Sequence, residues 1–119
     1  MADYTWTVNL RTVNEANARD HWCKVHKRVK AQRQIAKAYT KQQLGHVLAT
    51  DRPKRVHMVR IAPKALDSDG LVSSMKAVRD GIADAYGCDD SEAAGIEWTY
   101  GQEPHGKPRL YAVRVEVSL

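Results

Sequence analysis

Cysteine is scarce in this 119-residue chain: Cys23 and Cys88 are the only two, and they stand in neither a disulfide-framework nor a metal-ligand spacing. That argues against a stapled secreted scaffold and a thiolate metal site, and makes reduced thiols in the cytoplasm the expectation. No apolar run approaches the roughly 20 residues that a bilayer-crossing helix needs, so no membrane partner is expected. The opening MADYTWTVNL has neither a basic n-region nor an apolar h-region, so no signal peptide is expected there. Internal repeats and low-complexity tracts, which would point to solenoids or disordered linkers, are also missing. One further scarcity is local. From about Ala18 to Leu44 the only acid is Asp20.

What remains reads as one domain over residues 1–119, long enough to bury a core without crosslinks. Hydrophobic residues make up 43% and charged residues 28%, a globular balance, and the formal net charge of +5 makes an anionic partner plausible. In YTWTVNL, Tyr4, Trp6, Val8 and Leu10 alternate with polar residues, the signature of a half-buried strand. A helix follows from about Ala18 to Leu44, with Asn17 as its N-cap and Gly45 as its stop. Its apolar positions are Trp22, Val25, Val29, Ala36 and Tyr39. VHMVRIA is a second strand ended by Pro63, and Leu71, Met75, Val78, Ile82 and Tyr86 form the apolar stripe of a second helix closed by Gly87. IEWTY and RLYAVRVEVSL alternate again, and the turn-rich GQEPHGKP between them predicts a C-terminal hairpin. The order β-α-β-α-β-β makes this an α+β fold, two main helices on a small mixed sheet.

Acid is gathered at both ends of the second helix. On a wheel of 100° per residue, Asp69, Ser73, Lys76 and Asp80 fall within about 80° of one another, opposite the apolar stripe. Asp67 lies just before the helix, and Asp89 and Asp90 just after its end. Taken singly these residues have structural roles: Asp67 or Asp69 as a helix cap, and Lys76 with Asp80 as a surface ion pair. Asp89 and Asp90 suit that reading poorly, because acid beyond a helix C-terminus opposes the dipole. A magnesium site explains the acids jointly, since that ion takes a few hard carboxylates and keeps waters and phosphate oxygens. A calcium loop does not, because DSDG lacks the later ligands at the required spacing.

The stretch DSDGLVSSMKAVRDGIADAYGCDD resembles the signature of the RusA family of Holliday junction resolvases. That signature is Asp-x-Asp-Asn, a helix with a lysine and an aspartate, then glycine and an Asp-Asp pair. NARDHWCKVHKRVK is similar to the Asn…His-Trp…Lys-Arg segment of phage-type members. The resemblance runs from Trp6 to the final strand. It implies a RusA-like fold and a homodimer that binds four-way DNA junctions and resolves them by paired, symmetric, magnesium-dependent nicks, with manganese able to substitute. It further implies a place in a bacterial cytoplasm and a phage or prophage origin. Asp67, Asp69 and Asp90 match the catalytic, metal-holding aspartates, Lys76 matches the helix lysine, and Asp80 and Asp89 match further acidic positions. Gly70 stands where the family usually has asparagine, which removes an amide able to orient a carboxylate or water.

A continuous helix over residues 69 to 86 spans about 26 Å, so Asp69 and Asp90 of one chain share a metal only if the chain turns back sharply. Completion of each site across an antiparallel dimer is the expectation. The basic surface of the first helix, Lys24, Lys27, Arg28, Lys30, Arg33, Lys37 and Lys41, is expected to bind DNA phosphates with a steep salt dependence. The five histidines are scattered and none is assigned to catalysis, although His21 beside Trp22 is placed to touch DNA. Two other readings compete: a weakened or inactive junction-binding dimer, and a basic interaction module using the edge of the C-terminal hairpin.

Overall fold

The structure, a computed structural model, describes residues 2–13, 21–47, 52–88 and 95–119. Its elements run β1 (Tyr4–Val8), α1 (Trp22–Leu44), β2 (Arg55–Ala62), α2 (Ser68–Ala85), β3 (Glu97–Pro104) and β4 (Ala112–Ser118). The fold is α+β, with two helices and a four-stranded mixed sheet in the order β1-β4-β2-β3. Strand β4 lies between β1 and β2 and is antiparallel to both, while β3 pairs parallel to β2. Because α2 carries the chain from β2 to its parallel neighbour β3, it must run back along the sheet.

Alternation decides which face is dry. Trp6 and Val8 of β1, Val56 and Met58 of β2, and Val113, Val115 and Val117 of β4 join Ala36, Leu44, Leu71, Met75, Val78 and Ile82 in one core. The opposite sheet face carries Thr5, Thr7, His57, Arg114 and Glu116, all at least partly exposed. Each fully buried aliphatic side chain contributes about 2 kcal/mol through removal from water.

The C-terminal hairpin is not formed. Inward residues of β4 are at most 1% exposed from Val113 to Val117, which places it inside the sheet, whereas every residue of β3 keeps some exposure and that strand is an edge. Alternation marks both as strands but carries no information about partners. Of the two strands expected to form the hairpin, β3 keeps an open edge and β4 is interior.

Helix α2 is anchored on two sides. Besides its apolar stripe, Gly70, Ser74, Ala77 and Gly81 are buried. A Cβ at Gly81 would come within 2.3 Å of the Arg33 carbonyl and 2.7 Å of the Ala36 Cβ, so the two helices cross there in backbone contact. The helix ends at Ala85 in a Schellman arrangement: Cys88 N donates to Ala83 O, Gly87 N donates to Asp84 O, and Gly87 takes φ 68°.

Helix α1 departs from expectation at its start. Its buried positions are Gln32, Ala36, Thr40 and Leu44, a stripe stepping by four. Trp22, expected on the apolar face, is 71% exposed: the angle is right, but the first turn has little to pack on among the described residues. The N-cap is His21, whose Nδ1 accepts from Cys23 N at 3.3 Å; Asn17 lies outside the described residues. Gly45 follows the last turn in right-handed conformation, so the stop there does not use a left-handed glycine.

Candidate functional site

The second helix begins where β2 leaves the sheet. Asp67 is its N-cap in extended conformation: Oδ1 accepts from Gly70 N at 2.7 Å, and the backbone carbonyl accepts from Leu71 N at 2.9 Å. Asp69 stands in the first turn, and both aspartates are exposed. One residue earlier, Leu66 is held at both polar atoms by a single side chain. Gln102 Oε1 accepts from Leu66 N at 2.9 Å, and Gln102 Nε2 donates to Leu66 O at 2.8 Å. Gln102 belongs to β3, opposite Arg60 of β2 in register, so the sheet itself sets where Asp67 enters the helix.

Lys76 is exposed on the same side of α2 as Asp69, about 10 Å further along the axis at 1.5 Å per residue. With Ser73 and Asp80 it lines a cavity of 190 Å³ whose far wall is Val29 and Gln32 of α1. Asp80 is partly engaged with an arginine, not with Lys76. Arg33 Nη1 lies 4.0 Å from Asp80 Oδ2, and Arg33 Nε and Nη2 make a two-pronged contact with Asp84 at 2.5 and 2.8 Å. The guanidinium hydrogen bonds hold the Asp84 carboxyl below its ordinary value, opposed by partial burial and helped by the charges of Arg33 and Lys37.

This pair revises the role of the basic helix. Arg33 was expected to face DNA, yet its guanidinium is occupied by α2. The scarcity of acid within α1 does not preclude pairing, because the acid comes from the neighbouring helix. Lys24, Lys27, Lys30 and Lys41 are exposed, while Arg28 and Lys37 are half-buried. His21 is exposed beside Trp22, with ring centroids 5.8 Å apart.

Asp89 and Asp90 lie outside the described residues. Their chain neighbour Cys88 is located: its Sγ receives the Arg52 guanidinium, just before β2, and Pro53, Gly95 and Ile96 are nearby. That is the end of the sheet opposite Asp67. Unbroken α2 separates the two ends by about 27 Å.

Sequence reasoning missed Gln102 and Asp84. Gln102 had a faint signal, a polar residue continuing the inward series Trp98, Tyr100. Asp84 had none, because pairing between helices leaves no local spacing. Among the described residues no three His, Cys, Asp or Glu side chains are close enough to share an ion, and no helix is long and apolar enough to cross a membrane. No family model, curated protein or solved structure matches this chain.

Proposed function

We propose that this protein is a RusA-type, structure-specific endodeoxyribonuclease that resolves four-way DNA junctions by paired, magnesium-dependent nicks as a homodimer. The observation that carries this reading is the position of Asp67 and Asp69, both exposed at the strand-to-helix connection, with Lys76 exposed further along the same side of α2. Carboxylates two residues apart suit the donor preference of magnesium, which needs few protein ligands. Only one oxygen of Asp67 is engaged by Gly70, so the carboxylate is oriented while its second oxygen stays available.

Among the described residues the set is short by one ligand. Asp90 follows α2 in the sequence, and an antiparallel pair of α2 helices across a two-fold axis would offer it to the partner's Asp67 and Asp69. Homodimerisation is thus part of the proposed chemistry. Magnesium, when bound, supplies positive charge beside the scissile phosphate and lowers the pKa of a water. Asp67 and Asp69 hold and orient, and Lys76 balances the charge that grows on the phosphoryl oxygens. Water oxygen bonds to phosphorus, the bond from phosphorus to the 3′ oxygen breaks, and a proton passes to that oxygen, leaving 5′-phosphate and 3′-hydroxyl ends.

A second reading, a junction-binding dimer without cleavage, draws on the capping bond of Asp67, which gives that carboxylate a structural purpose. A labelled four-way junction incubated with and without magnesium separates the two. Paired nicks only with the metal support the nuclease; a metal-independent mobility shift with no nicks supports the binder. Mixing Asp69→Asn with Asp90→Asn chains then tests the shared site, because heterodimers regain one intact set and each homodimer has none.

A further inference from the structure

Arg60 is the anomaly of the core layer. It projects from β2 on the helix-covered face, in series with Met58 and Ala62, and is 9% exposed. Its Nε donates to Thr12 Oγ1 at 3.3 Å and an Nη donates to Lys64 O at 2.8 Å. Both acceptors are neutral, and among the described residues no carboxylate pairs with it. Burial pushes its guanidinium below the usual arginine value, with Tyr111 opposing that shift and the cation of Arg11 adding to it. Arginine nevertheless stays protonated, so among the described residues this is a buried charge held by neutral acceptors, at a cost.

Arg60 lines an open cleft of 440 Å³ together with Lys64, Leu66, Arg109 and Tyr111. Arg109 sits there at φ 65°, a left-handed conformation that side chains other than glycine adopt at a cost of about 1 kcal/mol or more. The Tyr111 ring carries the Arg11 guanidinium 4.5 Å from its centroid, which adds a fourth cation to this wall. Among the described residues every charge lining the cleft is positive, one of its walls is aromatic, and Leu66 on its rim directly precedes Asp67. A single phosphate fills little of such a volume, which falls in the range of about 300–1,000 Å³ typical of small-molecule sites.

We propose that this cleft receives the phosphodiester backbone of the DNA strand led to Asp67 and Asp69, with Arg60, Lys64 and Arg109 on phosphate oxygens and Tyr111 against sugar or base. It rests on the nuclease reading for the direction of the strand, but not for the binding itself. It places a strand-holding surface at the end of the sheet, separate from the α1 lysines.

The test is fluorescence anisotropy of a labelled four-way junction and a labelled single strand without magnesium, so that cleavage plays no part. Lys64→Ala removes an exposed cation, and Arg109→Gly removes another while relieving the left-handed strain, so neither is expected to lower the melting temperature. Each raises Kd about 3- to 10-fold and reduces the slope of log affinity against log salt by about one. Arg60→Gln gives a larger loss, interpreted only where its circular dichroism matches wild type. A Lys64→Ala/Arg109→Gly double variant with wild-type Kd and slope overturns the proposal. So does polyglutamate displacing the junction as well as an oligonucleotide of equal charge, which assigns the cleft to an acidic protein. Binding of deoxyadenosine monophosphate that these substitutions weaken, with strand affinity unchanged, overturns the strand assignment in favour of a free nucleotide. Loss of affinity in the variants without cleavage by any form sinks the nuclease alone; intact cleavage and affinity in the double variant sinks the cleft alone.

Discussion

Replacing Asp67 by asparagine and by alanine separates what its carboxylate does for the fold from what it does for chemistry. The cap is one hydrogen bond, from Gly70 N to Oδ1 at 2.7 Å, at an exposed helix start. Asparagine keeps an oxygen acceptor in that place and loses only the charge facing the helix dipole, about 0.5 kcal/mol. Alanine loses both, about 1–2 kcal/mol. For a chain of this length 1 kcal/mol moves the melting temperature by roughly 3–5 °C. Asp67→Asn should therefore melt within about 2 °C of wild type and Asp67→Ala about 3–10 °C lower. Cleavage of a four-way junction behaves differently, because both changes remove a magnesium ligand. Substituting groups that merely orient ligands costs 10- to 100-fold, so loss of a ligand itself should cost about 100-fold or more in both variants. Thermal melts and single-turnover cleavage, run well below the lower melting point, read the two effects side by side. Wild-type cleavage by Asp67→Asn would refute the assignment of this carboxylate to the metal.

Gly81→Ala inserts a methyl where 2.3 Å separates the ideal Cβ from the Arg33 carbonyl, and overpacking exceeds the gain in helix propensity. A net loss of about 2 kcal/mol in urea unfolding, with unchanged slope, is expected, and equal stability would deny the close crossing. Gln102→Leu leaves two backbone groups of Leu66 without their partner, so a loss of about 2 kcal/mol is expected. If Gln102 positions Asp67, the variant also needs more magnesium for half-maximal cleavage, an effect that a purely structural loss does not give. The depressed carboxyl of Asp84 contributes stability above its unfolded pKa, and that contribution fades as pH falls through the lower folded value. Asp84→Asn should therefore be less stable than wild type at pH 7 and lose the difference below about pH 4. Parallel curves across that range in pH-dependent urea unfolding would remove the Arg33 pair from the stability of the fold.

The elements themselves were legible in the chain because their signals are local. Alternation in YTWTV and AVRVEVS, the four-three-four-four stripe from Leu71 to Tyr86, and Gly87 after it each constrain neighbouring residues only. The acids Asp67 and Asp69 at the start of the second helix, and the length of that helix, followed from the sequence and from helix rise alone. Strand partnership was not legible. An apolar residue every second position marks a face, and β3 and β4 share that mark although one is the edge and the other the centre.

Sequence by itself determined the class of fold, the segments that fold as helix and strand, and that Asp67 and Asp69 stand at the start of α2. Only the tertiary structure decided that β4 enters between β1 and β2, that Arg33 is taken by Asp84, that Gln102 holds Leu66, and that Arg60 lies buried beside a basic cleft. The physical reason is range. Propensity, capping and periodicity act over a few residues along the chain. Register, interhelical ion pairs and the burial of a charge depend on groups from 36 to more than 100 positions apart, whose meeting is set by how the whole core packs.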